Sequence, residues 1–135
     1  MLRKQLVSVT AVAVLTTGVA FAAVQQDKVM YKQADGTYVV NTTSLCSNVK
    51  GFKGTTPVEV YIKNNKVIKV EALPNREGPK FYDKVKQGLF PKFNGMKLSK
   101  AAKAESLDGV TGATYTSRAV KENIAAAVAY YKKNK

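Results

Sequence analysis

The sequence predicts a small α+β domain, an antiparallel sheet with helices packed on one face. Three observations carry this. Apolar residues alternate between 57 and 73, as in a β-hairpin; an apolar stripe at helical spacing runs to the C-terminus; and the strand signals precede the main helix signals instead of alternating with them. A length of 135 residues suits one such domain.

The first 22 residues read as an address. Arg3 and Lys4 precede an uncharged run over 6–23, and Ala20-Phe21-Ala22 offers small residues where an export peptidase cuts. This predicts a signal peptide over 1–22 and a mature domain over 23–135. An uncleaved anchor is the rival reading, but the run is barely a span at about 18 residues, and Thr10, Thr16, Thr17 and Gly18 dilute it. Removing 22 residues leaves 113, carrying a charge of +11 in place of the whole chain's +13.

Composition excludes several chemistries. With no His there is no Ser-His-Asp triad, imidazole zinc site or His-ligated haem. One cysteine, Cys46, makes neither an internal disulfide nor a Cys-x-x-Cys pair. It is expected as a small buried hydrophobe. No metal site and no catalytic residue is assigned, so any redox activity requires a bound cofactor. The basic surface suits an anionic partner: a phosphate-bearing cofactor, lipid head groups or an acidic protein. Export, and the lack of Lys/Arg runs interleaved with aromatics, argue against nucleic acid.

The elements follow in order. Residues 25–32 are polar and read as a loose lead-in. Asp35-Gly36 marks a turn into a strand at Thr37-Tyr38-Val39-Val40. The stretch 41–56 is irregular, with a second strand expected over 45–49. In the hairpin, Asn64-Asn65 lies between Val58, Val60, Ile62 and Ile68, Val70, Ala72. A two-residue loop pairs Val60 with Lys69. A three-residue loop pairs Ile62 with Ile68, Val60 with Val70 and Val58 with Ala72, and so gathers all six apolar side chains on one face. The longer loop or a bulge is therefore expected.

Pro79 suits a helix start, with Phe81, Tyr82, Val85 and Leu89 as its core-facing side and Pro91 as its end. On spacing alone these aromatics are core rather than cofactor contacts. Residues 95–105 fit a short helix, a strand, or both in turn. The last helix is expected over 116–132, with Val120, Ile124, Ala127, Val128 and Tyr131 as its stripe and Thr116 or Ser117 as N-cap. Lys132, Lys133 and Lys135 complement its C-terminal dipole.

Before that helix stands Asp108-Gly109-Val110-Thr111-Gly112-Ala113-Thr114-Tyr115-Thr116-Ser117. A small, hydroxyl-rich loop opening onto a helix N-terminus suits phosphate, but composition alone favours an ordinary capped turn.

DGVTGAT resembles the flavinylation motif of the FMN-binding domain family: Asp, two variable residues, Ser or Thr, Gly or Ser, Ala, Thr. All seven positions fit. Asp35-Gly36-Thr37-Tyr38 is similar to the family's opening strand, and the hairpin, the helix after Pro79 and the closing helix arrive in the family's order. Arg76-Glu77-Gly78-Pro79 stands where many members carry Glu-Thr-Pro-Gly, so ring contacts from that region are not carried over.

The resemblance implies covalent FMN on Thr114 through a phosphoester. The bond would be made by a separate flavin transferase that uses FAD and Mg²⁺ and releases AMP. It implies that Asp108 presents the loop or orders it by accepting amide hydrogen bonds. Thr111, Gly112 and Ala113 would shape the turn, and Thr116, Ser117 and nearby amides would hold the phosphate; Arg118 reads first as an exposed helix arginine and otherwise as a neutralising partner for that phosphate. The implied role is that of an exported carrier, periplasmic or otherwise extracytoplasmic, relaying electrons between a membrane donor and an extracytoplasmic acceptor. Two other roles stay open: a flavin-dependent reductase subunit with its own substrate, and a basic exported binding module without cofactor.

Overall fold

The structure, a computed structural model, describes residues 29–135. The expected signal peptide and the first part of the lead-in lie outside these residues. Five strands form one antiparallel meander in chain order: β1 (Met30–Lys32), β2 (Tyr38–Asn41), β3 (Val58–Lys63), β4 (Lys66–Ala72) and β5 (Met96–Lys97). The helices are α1 (Pro79–Gly88), α2 (Leu98–Ala101) and α3 (Thr114–Asn134), with 3-10 turns at Phe90–Phe93 and Ala104–Ser106. The α+β class holds: the sheet is antiparallel, and its apolar face shares one core with the helices. Among the described residues no helix is long and apolar enough to cross a membrane.

The lead-in is more ordered than its composition suggests. Met30 is buried and pairs with Val40, so the end of that segment is an edge strand rather than a loose tail. Gly36 at φ +93 and the Asp35 carboxylate, which accepts from Thr37 N–H, make the turn that folds β1 back on β2. Val39, fully buried, occupies the other face in register with Tyr31 and Tyr61. The strand expected over 45–49 is absent: residues 45–48 are turn and Val49 takes no regular structure. Cys46 is buried as expected, and burial followed by the charge of Glu122 pushes its thiol up.

The β3–β4 hairpin corrects the expected pairing. Asn64 and Asn65 adopt φ 54 and 64, the two left-handed residues of a two-residue turn, which pairs Lys63 with Lys66. The facing is restored by a bulge. Ile62 pairs with Val67, the register then slips, and Val60↔Val70 and Val58↔Ala72 form as expected. The extra residue is Ile68, which is exposed, while Val67 is fully buried in its place. The turn chemistry and the facing of the side chains are thus both satisfied, at the cost of one ladder position.

In α1, Tyr82, Val85 and the following Leu89 are buried, but Phe81 is 46% exposed and leaves the core. Pro91 ends the helix inside the first 3-10 turn. Residues 95–105 take strand and helix in turn, as β5 and α2. The stripe of α3 is buried at all five expected positions. Full burial of a Val- or Ile-sized side chain is worth roughly 1.5–3 kcal/mol, so this stripe fixes the helix to the sheet. A polar link adds direction: the Thr42 hydroxyl, at the end of β2, accepts from Val58 N–H and donates to Asn123 Oδ1 on α3.

Candidate functional site

The loop before α3 is a built turn. Ala113 N–H donates to Val110 C=O at 3.0 Å, and Gly112 sits between them at φ +83, where a side chain would be strained. Gly109 lies so close to Ser117 that an added Cβ would stand 3.1 Å from the Ser117 Cβ. Val110 N–H donates to Ser117 Oγ at 3.0 Å, and Lys121 Nζ donates to Leu107 C=O at 2.6 Å. These contacts fold the loop onto the first turns of α3.

The helix starts two residues earlier than expected. Ala113 is the N-cap, with no side-chain capping bond, and Thr114 is the first helical residue. Thr116 and Ser117 are therefore not caps but buried first-turn residues. Thr116 Oγ1 donates to Glu77 Oε1, and Ser117 Oγ receives Val110 N–H. Thr111 and Thr114 are exposed. Asp108 is exposed, and among the described residues no loop amide donates to it; the ordering expected of that carboxylate is done by Ser117.

A cleft of about 180 Å³ opens beside this turn, lined by Phe52, Glu77, Gly78, Phe81 and residues 112–116. Three aromatic residues on its walls keep much of their surface in solvent: Phe52 at 68%, Phe81 at 46% and Tyr115 at 58%. The Phe52 and Tyr115 rings stand 6.3 Å apart, tilted by 33°. Arg118 lies 5.7 Å from the centre of the Tyr115 ring and is not one of the residues that line the cleft. Of the four aliphatic hydroxyls of the 108–117 segment, those of Thr114 and Thr116 belong to cleft-lining residues. Of these four, Thr114 alone combines that place with exposure and, among the described residues, freedom from a hydrogen-bonding side chain.

Glu77 holds the opposite wall. It is 5% exposed, and its carboxylate accepts from Phe52, Lys53 and Gly54 N–H at 2.8, 2.6 and 3.1 Å, as well as from Thr116. Burial pushes its pKa up, but the Thr116 hydroxyl and the three amides outweigh burial and hold it below the usual carboxylate value. Gly51 is required here, because a Cβ would stand 2.5 Å from Glu77 Oε1 and 3.2 Å from the Thr116 Cα. Phe52, Tyr115 and Glu77 were not among the sequence-derived site residues, and Phe81 was assigned to the core.

Among the described residues no group of three or more His, Cys, Asp or Glu is placed to hold a metal. The open, apolar, aromatic-walled cleft with a hydroxyl at its rim fits a planar ring carrying a phosphorylated tail. Comparison with curated proteins gave no match. The family model described as the FMN-binding domain matches residues 51–129, a span that runs from the Phe52 wall through the 108–117 turn and most of α3. The chain belongs to the FMN-binding domain family.

Proposed function

We propose that this domain carries FMN covalently on Thr114 and serves as an exported electron carrier between a membrane donor and an extracytoplasmic acceptor. The observation that supports it most is the state of the loop's hydroxyls. Thr116 and Ser117 are buried and engaged, whereas Thr114 is exposed at the cleft rim on the first turn of α3. A Thr hydroxyl is a weak nucleophile without a base, and among the described residues no side chain hydrogen-bonds it. Attachment is therefore assigned to a separate flavin transferase acting on FAD with Mg²⁺. The Thr114 oxygen forms a bond to the FMN-side phosphorus, the bond from that phosphorus to the bridging oxygen breaks, AMP leaves, and the proton passes to the transferase.

When bound, FMN supplies one- and two-electron chemistry. The chain's own part is placement. Phe52, Phe81 and Tyr115 offer apolar faces against which the ring can stack, shielding it on one side. Glu77 fixes the Phe52 loop relative to α3, and Gly112 gives the turn its shape. A covalent link keeps the group from dilution outside the cytoplasm, which fits the leader expected over 1–22.

The test is the full chain produced together with a flavin transferase. Peptide mapping should place FMN on Thr114, with colour retained after denaturation. Thr114→Val should lose the covalent flavin altogether. A bare Thr114 in protein exposed to active transferase refutes the proposal.

A further inference from the structure

Helix α1 brings one cation to the attachment turn. Gly88 sits against Val110, where an added Cβ would stand 3.1 Å from Val110 Cγ2, so this glycine allows α1 to lie close on the turn. Lys84, four residues earlier, shares that helix face. Its Nζ lies 3.4 Å from the place a Cβ on Gly112 would occupy. Among the described residues Lys84 has no carboxylate partner; the neighbouring pair is Lys86 with Asp83 at 3.6 Å. Lys84 Nζ also lies 5.9 Å from the centre of the Phe81 ring, on the cleft wall. The ammonium of this exposed lysine thus lies over a backbone without a side chain, two residues before the acceptor hydroxyl.

We infer that Lys84 is the positioning residue for the phosphate at this turn, pairing with the anionic phosphoester on Thr114. The inference rests on the proposed attachment at Thr114. The phosphodiester keeps one negative charge, and a lysine ammonium donates to it without any proton being exchanged. Gly88 thereby gains a purpose: it brings α1 close enough for Lys84 to reach the turn.

The experiment uses the full chain as wild type, Lys84→Gln, Lys84→Arg and Lys86→Gln, each made with and without a flavin transferase and FAD. Intact mass follows loading, and thermal melting is recorded for the loaded and unloaded forms at low and high salt. Loss of one charge-assisted contact should slow loading by about ten-fold in Lys84→Gln, with Lys84→Arg restoring most of the rate and Lys86→Gln unchanged. The unloaded melting temperature should stay within about 1 °C of wild type, whereas the salt-sensitive gain on loading should be lost. A merely structural lysine would shift both forms alike, and that result overturns the inference. So does a Lys84→Gln variant that loads and melts like wild type. If wild type loads at a residue other than Thr114, or not at all, the attachment proposal itself fails and takes this inference with it.

Discussion

Removing the Glu77 carboxylate should unfasten one wall of the cleft. In Glu77→Ala, three consecutive amides and the Thr116 hydroxyl lose their acceptor at once. Hydrogen bonds to a charged group are worth about 1.5–3 kcal/mol each when buried. Phe52 and Lys53 are exposed, so water replaces part of what their amides lose. Counting about 1 kcal/mol for each amide gives a loss of about 3 kcal/mol, or a fall in Tm of about 12–15 °C for a domain of this size. The assay is urea unfolding of wild type, Glu77→Ala and Glu77→Gln at neutral and acid pH. Because the folded carboxyl titrates below its ordinary value, its stabilisation is complete above that value, 4.5, and is lost as pH falls through the lower folded one. Asp35 and Glu71 are also lowered, so the quantity to read is wild type minus Glu77→Gln, which should shrink on acidification. A Glu77→Ala midpoint matching wild type at neutral pH would refute the reasoning.

Two further perturbations probe packing. Val67→Ala should cost about 2 kcal/mol, since the side chain is fully buried, whereas Ile68→Thr on the bulge should stay within about 0.5 kcal/mol; denaturant midpoints compare them, and the reverse order would mean that the bulge is misplaced. Gly51→Ala should destabilise by more than about 2 kcal/mol, because the added carbon meets both the Glu77 carboxylate and the Thr116 backbone, and a circular dichroism melt reads the loss.

The fold was legible where a period or a turn residue left one solution. The α3 stripe and the Pro79 start follow directly from spacing. The bulge was half legible: facing demanded an irregularity, but two adjacent asparagines in left-handed conformation decided that it lies at Ile68 and not in the loop. Phe81 was misread because it adjoins Tyr82. Adjacent helical positions point about 100° apart, and Tyr82, Val85 and Leu89 already fill the inward face. Glu77-Gly78-Pro79-Lys80 matches Glu-Thr-Pro-Gly at Glu and Pro, a one-residue shift from the Arg76 frame, and the Glu it aligns is the buried carboxylate. Phe52 and Tyr115 carry no sequence period, and only the tertiary approach of loop 51–54 to the start of α3 sets them side by side.

Backbone amides in succession that curve around one point form a nest, a ready receptor for any passing anion. Here that receptor, at residues 52–54, is filled from within the chain. Sulfate or phosphate from the medium finds it taken, and an anionic tail lying along that side would meet a carboxylate instead of a donor. The Glu77 side of the cleft therefore disfavours the negative part of any ligand that enters it.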